Sequence, residues 1–279
     1  MESAAKQISQ QFYVKLAFNQ TSQFSLQSLI HGIGDMYSTV NSINYKLDTV
    51  VLPPNSLNVL LKDANLQVVF NAPGVVTLAN ERRKSNNIPL LKSITLPQGP
   101  PFEVSDLSSL DYTYEGTERA KKICLGGTFD RIHVGHKLLL TAATLTASPG
   151  SSIVIGLADG PLLLNKSYKE LIEPFRVRAE KLEALMRTLA PGIPTCIVPI
   201  ADKYGPTITD PEMDALVISD ETGAGLHEIN ALRRAKGWQE LTEVRIPLLQ
   251  NNTNLTQNDE KMSSSWLRKQ DWIEKNLKK

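Results

Sequence analysis

The sequence predicts an α/β fold: a doubly wound parallel sheet in the C-terminal part, preceded by a smaller α/β or α+β unit. Three observations lead there. After residue 119, apolar runs of strand length alternate with segments of helical spacing. Those runs are apolar throughout rather than at every second position, the pattern of parallel strands covered on both faces. A stretch mixing Pro, Gly, Ser and acids, "LPQGPPFEVSDLSSLDYTYEGTE", separates this region from what precedes it.

Taken in order, "FSLQSLIHGIGDMYSTV" reads as a helix, and "LDTVVLP", "NVLLKD" and "LQVVFNA" as strands. The basic run "NERRKSNN" (residues 80–87) reads as a solvated loop. Residues 1–95 thus form an N-terminal domain without a chemical motif, and residues 96–118 a linker. In residues 119–279, "KKICLGGTF" is a strand ending in glycines and "HKLLLTAATLTA" a helix. "SSIVIGLA" is the next strand and "FRVRAEKLEALMRTLA" an amphipathic helix. Strands "TCIVPIA" and "DALVISD", helix "GLHEINALRRAKG", strand "TEVRIPLL" and a helix from about Ser263 complete the part. At 161 residues, this segment is long enough to fold alone with its own core. Internal repeats and low-complexity tracts are not expected anywhere.

With 41% apolar and 21% charged residues, the composition is that of an ordinary globular protein. A net charge of +1 offers no broad attraction for nucleic acid or an anionic membrane, and neither is expected as a partner. The charge divides at the seam, with −2 on residues 1–118 and +3 on residues 119–279. Cys124 and Cys196 lie in apolar runs, so both are expected as buried, reduced strand residues. No run reaches membrane-spanning length and the N-terminus has no signal-like pattern, so the expectation is a cytoplasmic, reducing compartment.

Chemistry concentrates in two strings. "LGGTFDRIHVGHKLLLT" places two of the four histidines three residues apart, just after a Gly-Gly turn. Gly126 and Gly127 let backbone approach a ligand, and the helix that follows offers free N–H groups to an anion. His133, His136 and the Thr128 hydroxyl are expected to converge there around a phosphate. "DEKMSSSWLRKQ" puts Ser263, Ser264 and Ser265 at the head of the last helix, between Lys261 and Arg268. One serine suffices as a cap; three, with flanking cations, suit the outer phosphates of a nucleotide.

With these strings in view, the chain resembles the nucleotidyltransferase superfamily with its H-x-G-H and S-S-x-x-x-R segments. More closely it resembles the eukaryotic and archaeal branch of phosphopantetheine adenylyltransferase. The likeness covers about residues 120–270 through "GGTFDRIHVGHKLLL", "GLADGPLLLNKSYKELIEPFRVR", "IADKYGPTITDPEMDALVISDETGAG", "EINALRRAKG" and "KMSSSWLR". It implies a Rossmann-like fold and transfer of AMP from ATP to 4′-phosphopantetheine, giving dephospho-coenzyme A and pyrophosphate. It implies catalytic roles for His136, Lys166, Thr128 and His133. It implies ATP contacts from Gly127, His136, Ser219, Glu221, Thr222, Ser263, Ser264, Ser265 and Arg268, and substrate contacts from Thr128, Lys166 and Arg178. Asn230 and Arg233 follow one and two turns beyond "SDETG". Mg2+ would arrive with ATP, with no metal held by the protein itself. Association with other enzymes of coenzyme A synthesis is a further expectation.

Rival readings stay open at this point. Cytidylyltransferases carry R-T-x-G-I-S-T where this chain has "EKMSSSW", and nicotinamide mononucleotide adenylyltransferases share the H-x-G-H form. Class I aminoacyl-tRNA synthetases also pair "HVGH"-like and "KMSSS"-like segments, but a basic face for tRNA is missing here. A nucleotide-binding scaffold without activity would show damaged motifs, and these are intact.

Overall fold

The structure, a computed structural model, describes residues 11–15, 25–53, 60–70, 72–96, 119–220, 223–249 and 263–277. Its centre is a parallel sheet of five strands: β5 (Ala120–Gly127), β6 (Ala147–Ala158), β7 (Thr195–Ile200), β8 (Ala215–Ser219) and β9 (Thr242–Ile246). Their order is β7-β6-β5-β8-β9 and every pairing is parallel. The chain therefore runs outward from β5 in one direction, then returns and runs outward in the other. Where the direction reverses, between the carboxyl ends of β5 and β8, a crevice must open. The α/β doubly wound architecture expected from the sequence is what is found.

Helices α3 (Val134–Thr146), α4 (Phe175–Leu189) and α5 (Ala224–Ala235) make the crossovers, and α6 (Ser264–Leu277) closes the chain. On α4 the buried side chains Arg178, Leu182, Met186 and Leu189 fall one turn apart, so a single stripe faces the sheet. Helix α3 is different: Lys137, Leu138, Leu139, Leu140, Thr141, Ala142 and Ala143 are all buried in succession. A helix buried all round needs cover on both sides, and the N-terminal part supplies the second side.

That part contains β1 (Gln11–Lys15) paired in parallel with β2 (Asp48–Leu52), and β3 (Val68–Phe70) paired in parallel with β4 (Lys92–Ile94). Helix α1 (Leu26–Ile43) lies between β1 and β2, and α2 (Pro73–Ser85) between β3 and β4. Ser25 caps α1 by accepting from Ser28 N. Helix α1 packs on α3 and β9. The approach is closest at Gly34, where a Cβ would stand 3.2 Å from Leu249 and 3.5 Å from Leu138. Ile30, Ile33 and Tyr37 of α1 belong to one apolar cluster with Leu138, Val217 and Ile246. The two parts thus share a core.

The N-terminal part also repeats a piece of the C-terminal one, against the expectation of no repeats. Asn80 on α2 donates to Leu91 O at 3.1 Å and accepts from Leu91 N at 2.8 Å. Asn230 on α5 does the same with Leu241, at 3.1 and 2.8 Å. Three residues after each asparagine stands a buried arginine that donates to four or five carbonyls. Arg83 reaches those of Pro89, Leu61, Asp63 and Leu66, and Arg233 those of Gln239, Thr207, Asp210, Pro211 and Met213. Both helices then leave through a left-handed residue, Asn87 or Gly237. The strings "NERRKSNNIPLLKSITLP" and "NALRRAKGWQELTEVRIP" align without a gap. The β3-α2-β4 unit is a second copy of β8-α5-β9.

Three expectations change accordingly. "NERRKSNN" is mostly helix α2, not a solvated loop, because Arg83 is drawn inside to donate to the carbonyls of Leu61, Asp63, Leu66 and Pro89. "NVLLKD" is not a strand over its described residues 60–63, which turn. Cys124 is buried, but Cys196 is exposed because β7 is the edge of the sheet. Most of the expected linker, residues 97–118, lies outside the described residues.

Candidate active site

Strand β5 ends at Gly127, and a tight loop carries the chain into α3. Phe129 and Arg131 in this loop have positive φ, 45° and 49°, so the turn is held in a sparsely populated conformation. Burial of Phe129 beneath Gly127 offsets that strain: a Cβ at 127 would meet the Phe129 ring at 3.1 Å. His133 is the N-cap of α3, its Nδ1 accepting from Gly135 N at 3.2 Å. His136 sits one turn in, its ring 3.9 Å from the His133 ring and 4.9 Å from that of Phe129. Gly135 is needed between them, since a Cβ there would come within 3.1 Å of the His133 ring.

Opposite this loop stands the head of α6. Ser263 caps it, accepting from Trp266 N at 3.2 Å. Ser264 and Ser265 follow in the first turn, and Arg268 donates to Ser265 Oγ at 2.9 Å. The rest of that guanidinium is engaged inside the protein. It donates to Asp130 Oδ2 at 2.7 Å and to Ser167 O at 2.9 and 3.1 Å. Asp130, wholly buried, also accepts from Arg131 and from Glu173 N. A buried carboxylate bridging two arginines and a backbone N–H is well compensated. It joins the β5 loop, the head of α6 and the loop bearing Lys166 into one frame. Burial works to lower the Arg131 pKa, but Asp271 and Asp130 outweigh it and raise the guanidinium above its usual value.

These pieces enclose a cavity of about 430 Å³ at the crevice between β5 and β8. Gly127, Thr128, His133, His136, Lys166 and Ser219 line it, as do Ser263, Ser264, Ser265 and Arg268. The N-termini of two helices, α3 and α6, therefore meet at one cavity, with N–H groups, hydroxyls and an ammonium available to an anion. Apolar lining comes from Ile200, Pro206, Ile218 and Leu226, with Lys203 and Tyr204 beside them. Among the described residues no three His, Cys, Asp or Glu side chains are placed to hold a metal ion.

Arg178 is the expected site residue that the structure does not bring to the cavity. It is 1% exposed and donates to the carbonyls of Thr128, Ala158 and Glu173. Burial lowers its pKa, while Asp159, Asp130 and Glu173 oppose that shift. Its evident effect is to hold the Thr128 backbone. Glu221 and Thr222, like Lys261, lie outside the described residues. Asp130 stands in the "GGTFD" string beside Arg131, but its other partners come from two distant segments, at Glu173 and Arg268.

The cytidylyltransferase-like family matches residues 124–270 of this chain. Phosphopantetheine adenylyltransferase of Saccharomyces cerevisiae is 41% identical over 130 residues, 46% of this chain and 42% of that protein. The enzyme of the same name from Methanopyrus kandleri is 38% identical over 150 residues, 54% of this chain and 90% of its own length. An uncharacterised protein of Schizosaccharomyces pombe is 33% identical over 200 residues, 68% of this chain and 62% of that protein. The chain thus matches only part of the two fungal relatives but nearly all of the archaeal one. Among the described residues, no helix is long and apolar enough to cross a membrane.

Proposed function

Since this chain belongs to the cytidylyltransferase-like family, we propose that it is a phosphopantetheine adenylyltransferase, moving AMP from ATP onto 4′-phosphopantetheine. The observation that carries the reading is the meeting of two helix N-termini, α3 with its histidine pair and α6 with its serines, on one cavity. Such a site suits a polyphosphate far better than a neutral ligand.

The chemistry needs no covalent intermediate. An oxygen of the phosphopantetheine phosphate attacks the α-phosphorus of ATP, and the bond from that phosphorus to the β-phosphate oxygen breaks. Pyrophosphate leaves with the electron pair. A phosphate monoester is already nucleophilic near neutral pH, so no strong base is required. The barrier lies in bringing two polyanions together and in the charge on the leaving group. His136 and the N–H groups of α3 take up charge at the reacting phosphorus, and Lys166 neutralises the two substrates against each other. Thr128 orients the attacking phosphate. Ser264 and Ser265 hold the outer phosphates together with the head of α6. ATP is used as its magnesium complex, and the apolar lining accepts the pantetheine arm or the adenine ring. Arg268 and Arg178 serve this reading by keeping the frame in place. We assign the protein to a reducing, cytoplasmic compartment, alongside the other enzymes of coenzyme A synthesis.

The test is an assay of the purified chain with MgATP and 4′-phosphopantetheine, beside CTP and nicotinamide mononucleotide. Dephospho-coenzyme A and pyrophosphate in equal amounts are expected. Turnover with CTP and a phosphoalcohol, and none with phosphopantetheine, sinks the assignment.

A further inference from the structure

Lys137 directly follows His136 on α3 and does not line the cavity. Its side chain is 4% exposed, and its ammonium donates to Asp48 and, at 2.7 Å, to Thr49 O. Both acceptors belong to β2, 88 and 89 residues earlier in the chain. Gln11 of β1 donates to the other oxygen of Asp48. Burial lowers the Lys137 pKa and Asp48 opposes that shift.

A buried ammonium is a poor way to gain stability, since a well-packed leucine does as well or better. What an ion pair adds is a fixed rotation and register for the helix that bears it. That rotation matters here. Rolling α3 by about 10° moves an atom ~6 Å from its axis by about 1 Å. A misplacement of that size can cost roughly a hundredfold in rate. Among the described residues, those lining the cavity begin at Cys124, so the route from the described N-terminal elements to the cavity runs through the helix they pack against.

We propose that Asp48 and the Thr49 carbonyl, acting through Lys137, are positioning residues that set the rotation of α3 and hence the His133–His136 pair. The second copy of the β-α-β unit fits this role. From β3 to β4 the paired residues Val68 and Lys92 are 24 apart, against 27 for Ala215 and Thr242. The three extra residues fall before Asn230, in the segment whose ends, Ser219 and Gly225, line the cavity. The link from β1 to α1, "LAFNQTSQF", has neither glycine nor histidine. Among its described residues the N-terminal part repeats one β-α-β unit of the C-terminal sheet and contributes none of the cavity lining.

The effect on rate rests on the function proposed above; the effect on the histidines does not. In the full chain, Asp48→Asn keeps a hydrogen-bond acceptor at a half-exposed position and should fold. Expected are a kcat lowered about ten- to a hundredfold and a KM for ATP within about threefold, with a melting temperature lowered by roughly 5 °C or more because the buried ammonium loses its counter-charge. In 15N-edited NMR the ring signals of His133 and His136 should shift while that of His227 stays. Lys137→Met, which removes the buried charge as well, should shift the same histidine signals and lower kcat alike while melting within roughly 3 °C of the parent. Unmoved histidine signals, with kcat either unchanged or falling only in step with melting temperature, overturn the proposal. If the parent chain shows no turnover, the adenylyltransferase reading fails, and the histidine signals alone still decide the positioning role.

Discussion

The rings of His133 and His136 lie 3.9 Å apart with their planes 30° from parallel. One histidine caps the helix while the other extends the same surface into the first turn. The pair thus presents one imidazole tied to backbone and one aimed by its neighbours. Replacing His136 with Ala removes the contact proposed at the reacting phosphorus. We expect kcat to fall roughly a hundred- to a thousandfold, about 3–4 kcal/mol, with a smaller effect on the KM for ATP. Turnover within about threefold of the parent in a normally folded variant would remove His136 from the mechanism.

Gly135→Ala tests the spacing of the motif. The new Cβ would stand 3.1 Å from the His133 ring, which must tilt and give up its bond to Gly135 N. Loss of a helix cap costs about 1 kcal/mol. Activity should fall further than this stability change accounts for, because the His136 ring rests on the ring that moves. Equal melting and kinetics for the two proteins would contradict it.

The twin arginines separate stability from catalysis. Arg83→Met and Arg233→Met each leave several buried carbonyls without a donor, and each should cost about 3 kcal/mol or more in urea unfolding. Arg233 also holds the carbonyl of Thr207, which lines the cavity. Arg233→Met should therefore lower kcat/KM as well, whereas Arg83→Met should lower stability far more than rate. Losses of rate similar in both variants would show that the two copies are not divided in this way.

The two thiols should react very differently. Burial, with Asp210 nearby, pushes the Cys124 pKa up to about 12. A raised thiol pKa means that the neutral form persists at pH 8, and the neutral thiol is a poor nucleophile. Cys196 is exposed. A thiol reagent at pH 8 should titrate one equivalent from the folded chain and the second only after denaturation. Two rapid equivalents would place Cys124 within reach of solvent.

Residues 119–279 carry every residue assigned to chemistry, yet they share a core with α1. Cutting away residues 1–118 uncovers Leu138 and Leu249 and removes the partners of Lys137. The fragment is expected to melt roughly 10 °C or more below the full chain, or to aggregate. A fragment with unchanged melting temperature and kcat would mean that the C-terminal part is self-sufficient.

The pattern of the sequence was enough for the sheet and its helices, because parallel strands buried on both faces leave unbroken apolar runs that periodicity detects. It was enough, too, for the histidine and serine strings, since each is local: a turn, a cap and the first residues of a helix. What it could not determine were relations between distant segments. Asp130, already beside Arg131, becomes a hub only when Arg268 and the backbone of residue 173 are brought to it. Arg83 reads as a surface charge because no local pattern reveals the four carbonyls that gather around its guanidinium. The repeated unit is hidden in the sequence for the same reason, its likeness residing in the bonds of an asparagine and an arginine rather than in composition. Lys137 is one more cation on a helix until packing puts β2 over it. Local chemistry follows from the order of residues, whereas the partners of a buried charge depend on which strands the fold lays side by side.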